Sequence, residues 1–384
     1  MKKGISAVII VLIICIILLA IFAVLIDRKV INIKKIGVDK EIQVVDNNDK
    51  DDNNTKKDNE LKDNLGINFV YSLEDDTYED TIWCGTFNII WNRLREDLAK
   101  KDIIFSEMSK TVINLNKGTF SENDLEDSSY YVAVDYMTPK LKAEIEKGIK
   151  EKFNETSDIL DSFDFRENSK DYFLYTMLKK VFNFEYKFDI LENGKFADKY
   201  DDVKYFGIDK NSKKELKEQI DVLYYDSEDS FAIKIHTKEN DELVFCKSPN
   251  GKSFSDMYNN ILDKEKKYTG STNLKSEEYL KVPNIMLNAK SQVKEVMNKP
   301  FSFANGDEYE IDNAIQTIKF ELDNAGGKIK SEAAMSLRNT AVFIPEEEKI
   351  RTFYLDSEFA IFIVEEGKEH PYFAAKISDI TKFQ

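Results

Sequence analysis

Alternating apolar and polar positions predict a strand near the middle of the C-terminal half of the chain. Ile318, Phe320 and Leu322 share one face, and the charged residues between them share the other. A period of two residues is typical of a β-strand with one buried face. The run ends at Asn324-Ala325-Gly326-Gly327, where paired glycines allow the positive φ angles of a turn or hinge.

Beyond this hinge the two-residue period resumes with unusually small side chains. One face carries Ser331, Ala333, Met335 and Leu337, and the other carries Glu332, Ala334, Ser336 and Arg338. Such a segment could lie in a sheet or leave it. A short edge strand of an ordinary domain would have the same pattern, so both interpretations stay open here.

The rest of the chain alternates short strands with a few amphipathic helices, which predicts an α+β fold with large mixed or antiparallel sheets and flanking helices. Helices are predicted over Tyr78–Lys101, from Thr138 to Phe153, over Phe254–Leu262 and over Ala289–Met297. Strands are predicted over Tyr130–Val134, Tyr172–Phe188, Val203–Ile208, Ile220–Tyr225, Phe231–His236, Glu242–Cys246, Tyr279–Leu287, Phe359–Val364 and Tyr372–Ile377.

The N-terminal region divides into a tail, an anchor and a tether. After a tail of residues 1–4, residues 5–26 are apolar apart from Ser6 and Cys15, and as a helix they would span about 33 Å. No small-residue cleavage site follows, so we predict an uncleaved transmembrane anchor. Residues 27–64 form a juxtamembrane segment and an Asp/Asn/Lys-rich stretch without an apolar face, which indicates a disordered tether. The globular domain is predicted over residues 65–384.

The orientation of the anchor follows from two opposing signals. Four basic residues after the anchor (Arg28, Lys29, Lys34 and Lys35) outnumber Lys2 and Lys3 before it, which favours a cytoplasmic domain. The head is only four residues long, however, and a single N-terminal anchor usually sends the following domain outward. We therefore expect a single-pass protein of the cell membrane with an extracytoplasmic domain.

Composition and motifs argue against several classes of function. The 384-residue chain carries a net charge of −16, so nucleic acid is not an expected partner. With only His236 and His370, we expect neither a histidine-ligated metal site nor a histidine-based triad, and no cofactor motif of the Gly-x-Gly-x-x-Gly type occurs. We predict no catalytic residues and no enzyme. Whether Cys84 and Cys246 pair stays open.

Read in order, several segments resemble serpins. Asp102–Ser109 is similar to the stretch after the first serpin helix, Ile149–Leu160 to the end of the helix that crosses the main sheet, and Leu174–Phe188 to the long central strand. Phe353–Ile363 and Tyr372–Ile377 resemble the two C-terminal strands, and Ser331-Glu332-Ala333-Ala334 resembles the hinge of the reactive loop. The interval between Ser109 and Leu141 is short, which implies a trimmed helical lobe. Relative to the serpin pattern, Lys328-Ile329-Lys330 is an apparent insertion before Ser331-Glu332-Ala333-Ala334.

The resemblance implies a serpin-like domain with a reactive loop. Its hinge would comprise Gly326, Gly327, Ser331, Glu332, Ala333 and Ala334, and its scissile region Val342, Phe343, Ile344, Pro345, Glu346 and Glu347. Bulky Met335 and Leu337 stand where inhibitory members have small residues, so we expect a non-inhibitory binding or structural module at the cell surface. The alternative is a serine or cysteine protease inhibitor that acts by loop cleavage and strand insertion. The expected partners are the membrane and a protease or another surface protein, and we expect a monomer.

Overall fold

The computed structural model describes residues 62–63, 66–331 and 350–384. The helices are α1 (Thr86–Arg93), α2 (Lys110–Asn116), α3 (Pro139–Phe153), α4 (Glu215–Glu218) and α5 (Phe254–Glu265), with a π-helical extension of α1 at Leu94–Ala99 and 3-10 turns at Glu122–Asp124, Leu160–Ser162, Lys294–Val296 and Ile380–Lys382. The strands are β1 (Lys62–Asp63), β2 (Asn68–Phe69), β3 (Thr81–Cys84), β4 (Tyr130–Tyr136), β5 (Tyr172–Asn183), β6 (Asp189–Ile190), β7 (Gly194–Phe196), β8 (Tyr200–Val203), β9 (Tyr205–Ile208), β10 (Ile220–Ser227), β11 (Ser230–His236), β12 (Asp241–Lys247), β13 (Tyr279–Pro283), β14 (Ile285–Gln292), β15 (Pro300–Ser302), β16 (Glu308–Glu310), β17 (Ile315–Asp323), β18 (Gly326–Ser331), β19 (Thr352–Tyr354), β20 (Phe359–Glu365) and β21 (Phe373–Ile377).

Two large sheets form the body of the domain. The first has six strands in the order β1-β14-β17-β18-β5-β4, and the second has seven in the order β10-β11-β12-β20-β21-β3-β2. Their facing sides share one hydrophobic core, in which the rings of Phe320 on β17 and Phe373 on β21 lie 4.7 Å apart. The second sheet therefore covers one face of the first, which we call its inner face. The predicted α+β class with large sheets and flanking helices is confirmed.

Helix α3 covers part of the outer face of the six-stranded sheet. It begins after Thr138, whose side chain accepts a hydrogen bond from the backbone N–H of Leu141, and Pro139 is its first residue, as the sequence predicted. Its buried residues Ile145 and Ile149 belong to a second core with Phe173 and Met177 of β5. The odd-numbered residues of β5 therefore point toward α3, and the even-numbered ones point inward.

A four-stranded sheet, β19-β13-β9-β6, adjoins the large ones. In it β19, the first strand after residue 350, pairs in parallel with β13. The predicted single strand Tyr279–Leu287 is in fact two strands, because β13 pairs with β9 and β14 pairs with β17 in the six-stranded sheet. The chain changes sheets at Asn284, immediately after Pro283.

One predicted helix begins later than expected, and another is wrong. The range Tyr78–Lys101 begins with strand β3, whose four residues are all buried and pair with β21, and only then continues as α1. The range Ala289–Met297 instead holds the end of strand β14, and a 3-10 turn follows. In both places, pairing within a buried sheet overrides the helical spacing of apolar residues.

Among the helices that the structure describes, none is long and apolar enough to cross a membrane. The predicted anchor, residues 5–26, lies outside the described residues, as does most of the predicted tether. Its last part includes β1, which pairs in parallel with β14 at the edge of the six-stranded sheet.

Candidate functional site

The hinge predicted from the sequence forms a strand inside the six-stranded sheet. After β17 the chain turns through Asn324 and Ala325 and returns as β18, which is antiparallel to both of its neighbours, β17 and β5. The Asp323 carboxylate accepts a hydrogen bond from the backbone N–H of Ala325, and the Asn324 amide donates one to the Phe188 carbonyl at 2.9 Å. These contacts close a tight hairpin and place β18 between β17 and β5.

The first glycine of this hairpin meets a backbone requirement. Gly326 has φ +145°, a region that residues with a side chain rarely adopt, and a β-carbon there would overlap the Phe182 carbonyl oxygen. The strand therefore enters the sheet through a position that only glycine fits.

Strand β18 has one apolar face and one charged face. Ile329 is fully buried in the core between the two large sheets, whereas Lys328 and Lys330 form ion pairs on the outer face. The stretch Lys328-Ile329-Lys330, which the sequence marked as an insertion before the hinge, is thus the middle of a strand. Insertion into the sheet begins at Gly326, five residues before Ser331. In the sequence, the alternation of charged and uncharged residues that begins at Gly327 could have indicated this earlier start of the strand.

Among the described residues, the sheet has an open position directly beyond the end of β18. Ser331 lies opposite Leu178 of β5 and Ile318 of β17. From there β5 extends six residues further, to Tyr172, and β17 extends three, to Ile315. Within the described part of the chain, no strand lies between these two extensions.

A cavity of about 680 Å³ occupies this open position. Its walls combine the ends of β5 and β17 with apolar side chains from several other elements. On the inner side these are Phe87, Trp91, Leu94, Leu174 and Phe303, on the outer side Ile159, Phe163 and Phe173, and at one end Asp171, Asp307, Glu308, Glu310 and Asp312 form an acidic rim. A space between two strand ends with apolar walls fits an additional strand that carries apolar side chains.

The far end of the segment between β18 and β19 is firmly anchored. The buried guanidinium of Arg351 donates two hydrogen bonds to the Glu278 carboxylate, at 2.7 and 2.8 Å, and others to the carbonyls of Ser271 and Asn273. Burial opposes ionisation of Glu278, but the hydrogen bonds from Arg351 hold its pKa below the ordinary value. The chain after residue 350 is thus fixed to the four-stranded sheet by a paired buried charge.

A buried polar cluster lies behind the strands that flank the open position. Lys180 of β5, which is opposite Ile329, places its Nζ 3.0 Å from carboxylate oxygens of both Asp241 and Glu365. The Tyr372 hydroxyl donates to Asp241 at 3.0 Å, and the Ser129 hydroxyl donates to Glu365 at 2.8 Å. One lysine thus faces two carboxylates in the core between the sheets.

Burial raises the pKa of Asp241 to about 7, although Lys180 and Tyr372 act in the opposite direction. Lys180 itself loses solvation, but the two carboxylates raise its pKa above the ordinary value. The second oxygen of Asp241, Oδ2, is buried without a hydrogen-bond partner among the described residues, which favours a neutral carboxyl at Asp241. The cluster therefore holds a charged lysine and an Asp241 carboxyl that is partly protonated near neutral pH.

The sequence-predicted site residues fall into two groups. Gly326, Gly327 and Ser331 lie in β18. The predicted hinge residues Glu332, Ala333 and Ala334 lie outside the described residues, as does the whole scissile region, Val342, Phe343, Ile344, Pro345, Glu346 and Glu347. The cavity and the Arg351 anchor have no motif in the sequence, because their residues come from distant elements.

No group of three His, Cys, Asp or Glu side chains that could hold a metal ion occurs in the described ranges. Cys84 and Cys246 are both buried and form no disulfide. Burial raises the pKa of the Cys246 thiol to about 11, so it is protonated at neutral pH.

The positions of the resemblance-bearing segments agree with a divergent serpin-like fold. The hinge strand β18 lies beside the expected central strand β5, helix α3 crosses the outer face of that sheet, and the C-terminal strands β20 and β21 pair behind it. The fold of the described residues is serpin-like.

Comparison with known proteins gives the following likenesses. No family model matches the sequence, and no curated protein matches it. Among solved structures, the chain is similar to Serpin48 of the insect Tenebrio molitor, described as a highly specific serpin, with 13% identity over 67% of this chain and 78% of that one and a TM-score of 0.36. It is also similar to thyroxine-binding globulin in complex with thyroxine (12% identity, 67% and 77% coverage, TM-score 0.37) and to cleaved Serpin 42Da (10% identity, 66% and 77% coverage, TM-score 0.43).

Proposed function

We propose that this domain is a protease inhibitor that takes up its own cleaved loop as a strand. The observation that supports this function is the placement of β18 between β5 and β17, with a cavity of about 680 Å³ along its continuation. The sheet already accepts the start of the segment and has space for more of it.

The register of β18 supports the same conclusion for the residues that follow. Continued past Ser331, the pairing would place Glu332 opposite Met177 and Leu337 opposite Tyr172. Ile329 points inward, so Ala333, Met335 and Leu337 would also point inward, toward the apolar wall that includes Trp91 and Leu174. The bulky side chains of Met335 and Leu337, which led us to expect a non-inhibitory module from the sequence, would enter a cavity of about 680 Å³ with apolar walls.

Cleavage is the step that would release the segment. Residues 332–349 connect β18 to the Arg351 anchor, so the uncleaved segment is held at both ends. A protease nucleophile would attack a carbonyl carbon within Val342–Glu347, break the peptide bond, form an acyl ester or thioester, and release the new amino terminus with a proton. Insertion must then carry the acylated protease away before water hydrolyses the bond.

The test combines complex formation with thermal unfolding. The full-length chain in a non-ionic detergent is exposed to serine and cysteine proteases, and we expect a complex that survives SDS and a cleaved form that melts at a higher temperature. Met335→Asp would place a charge in the apolar cavity and should abolish both effects, whereas Asn339→Asp, a matched change past the end of β5, should preserve them. Cleavage with no complex and no rise in melting temperature would contradict the proposal.

The second candidate is the non-inhibitory binding or structural module expected from the sequence. It is favoured by the six residues of β18 that already lie in the sheet, since part of the stabilisation from insertion is then present before cleavage. This function predicts loop cleavage without a change in melting temperature, together with a partner that binds cleaved and intact protein equally.

A further inference from the structure

Three lysines lie side by side across the outer face of the sheet. Lys179 of β5 is directly opposite Lys330 of β18, and Lys330 is directly opposite Lys319 of β17. Like charges directly opposite each other on neighbouring strands are destabilising. The row can exist in the middle of a sheet only with compensating negative groups.

The short segment that follows α3 supplies these groups. Helix α3 ends at Phe153 and is capped by Asn154, which has φ +55°, and residues 154–158 then pass over the lysine row. Asp158 accepts from Lys330 at 2.8 Å and lies 3.0 Å from Lys319, and Glu155 lies 2.9 Å from Lys179. Backbone carbonyls of the same region add acceptors, those of Phe153 for Lys179 and Thr156 for Lys330.

These ion pairs are partly shielded from water. The side chain of Lys330 is only 17% exposed and that of Asp158 only 21%. Burial opposes ionisation of Asp158, but its hydrogen bonds with Lys330 and Lys319 hold its pKa below the ordinary value. The Asp158 carboxylate thus stays ionised and bridges two strands, one of which is the inserted strand.

We propose that residues 154–158 are a latch that holds β18 in the sheet through Lys330 and keeps β5 and β17 at a fixed spacing through Lys179 and Lys319. Of the three lysines, only Lys330 belongs to the segment that the proposed function moves. The regulatory consequence, that the latch sets how far the loop is inserted before cleavage, rests on the proposed function. The contact between residues 154–158 and the three lysines does not depend on the proposed function.

Hydrogen exchange of the β18 amides in the uncleaved full-length chain tests the latch. Because hydrogen bonds to charged groups contribute substantially to local stability, Lys330→Met and Asp158→Asn should each speed exchange over residues 327–331 about tenfold or more. Lys328→Met removes the neighbouring lysine on the same face of the same strand, and its Glu321 partner is half-exposed. Asp161→Asn removes a nearby carboxylate that is almost fully exposed. Both controls should change exchange less than twofold.

Equal exchange in Lys330→Met and Lys328→Met would overturn the latch. If Asp158→Asn fails to fold, the lysine pair still decides the question. Failure of the latch is distinguishable from failure of the proposed function, because the latch is measured on uncleaved protein and strand insertion on cleaved protein. If both proposals are correct, Asp158→Asn also changes the rate at which the cleaved protein gains thermal stability.

Discussion

Gly327 of β18 lies directly against the ring of Phe182 on β5. A β-carbon at Gly327 would be 2.7 Å from the Phe182 Cζ and 2.6 Å from the Glu321 carbonyl oxygen. Both distances are shorter than van der Waals contact, so the inserted strand passes through a space that admits no side chain. This close approach is a specific requirement of the inserted state.

Gly327→Ala should therefore expel the start of β18. We expect a loss of about 1–3 kcal/mol in the free energy of unfolding, typical of overpacking, and faster hydrogen exchange over residues 326–331. Gly306→Ala is the control, since Gly306 also has positive φ but a β-carbon there would meet no neighbour within 4 Å. Gly306→Ala should lower the free energy of unfolding by about 1 kcal/mol and leave the hydrogen exchange of β18 unchanged. Unaltered exchange in Gly327→Ala would contradict the tight fit.

The Arg351–Glu278 pair should hold the segment's far end more strongly than a surface ion pair would. Arg351→Ala leaves the buried Glu278 carboxylate without its partner. We therefore expect the free energy of unfolding to fall by about 3–5 kcal/mol. Hydrogen exchange of β19 and β13 measures the effect. Arg93→Ala, which breaks a partly exposed pair with Glu122, should lower the free energy of unfolding by less than about 1 kcal/mol. Similar losses in the two variants would contradict a special role for the anchor.

The buried cluster should make stability depend on pH between about 4 and 7. The ordinary pKa of Asp241 is 3.8 and burial raises it to about 7 in the folded protein, so the unfolded chain loses this proton first. Stability from this group is therefore full below pH 4 and falls as pH rises toward 7, by a few kcal/mol at most.

Urea unfolding of the wild type and Asp241→Asn at pH 4.5 and 7.5 isolates this group. The asparagine variant should lose less stability than the wild type over that interval, and Asp161→Asn should behave like the wild type. A wild type and an Asp241→Asn variant with parallel pH profiles would show that Asp241 titrates normally.

The two buried thiols should report unfolding. Cys84 and Cys246 are at most 1% exposed, and the Cys246 Sγ lies 3.2 Å from the Tyr224 hydroxyl. In a Cys15→Ser variant, thiol reagents at pH 7 should label both cysteines only at the rate of unfolding, because both are buried and burial also keeps the Cys246 thiol protonated. Rapid labelling of the native protein would place either thiol at the surface.

Local pattern predicted those elements whose environment is simple. Strand β17 and the buried strand β20 follow directly from alternation and from a continuous apolar run, and α3 follows from the Thr138-Pro139 start signal and its apolar spacing. The range 289–297 failed because Ala289 faces the core from a strand, and a small apolar residue suits helices and strands alike.

The candidate site was only half visible in the sequence. The glycine hinge and the alternation around Ser331 indicated a segment that could enter a sheet. The acceptor side could not be predicted, because Trp91, Leu174 and Phe303 come together only through the tertiary fold. Nor could the lysine row, since the register of β5 against β18 depends on a pairing between residues about 150 positions apart.

Strand β1 has a mechanical consequence. It pairs with β14 through Lys62 and Asp63, and β14 pairs with β17, which borders the open position. Tension applied to the N-terminal side of the chain would therefore reach the six-stranded sheet first and cross only two strands before it reached the gap.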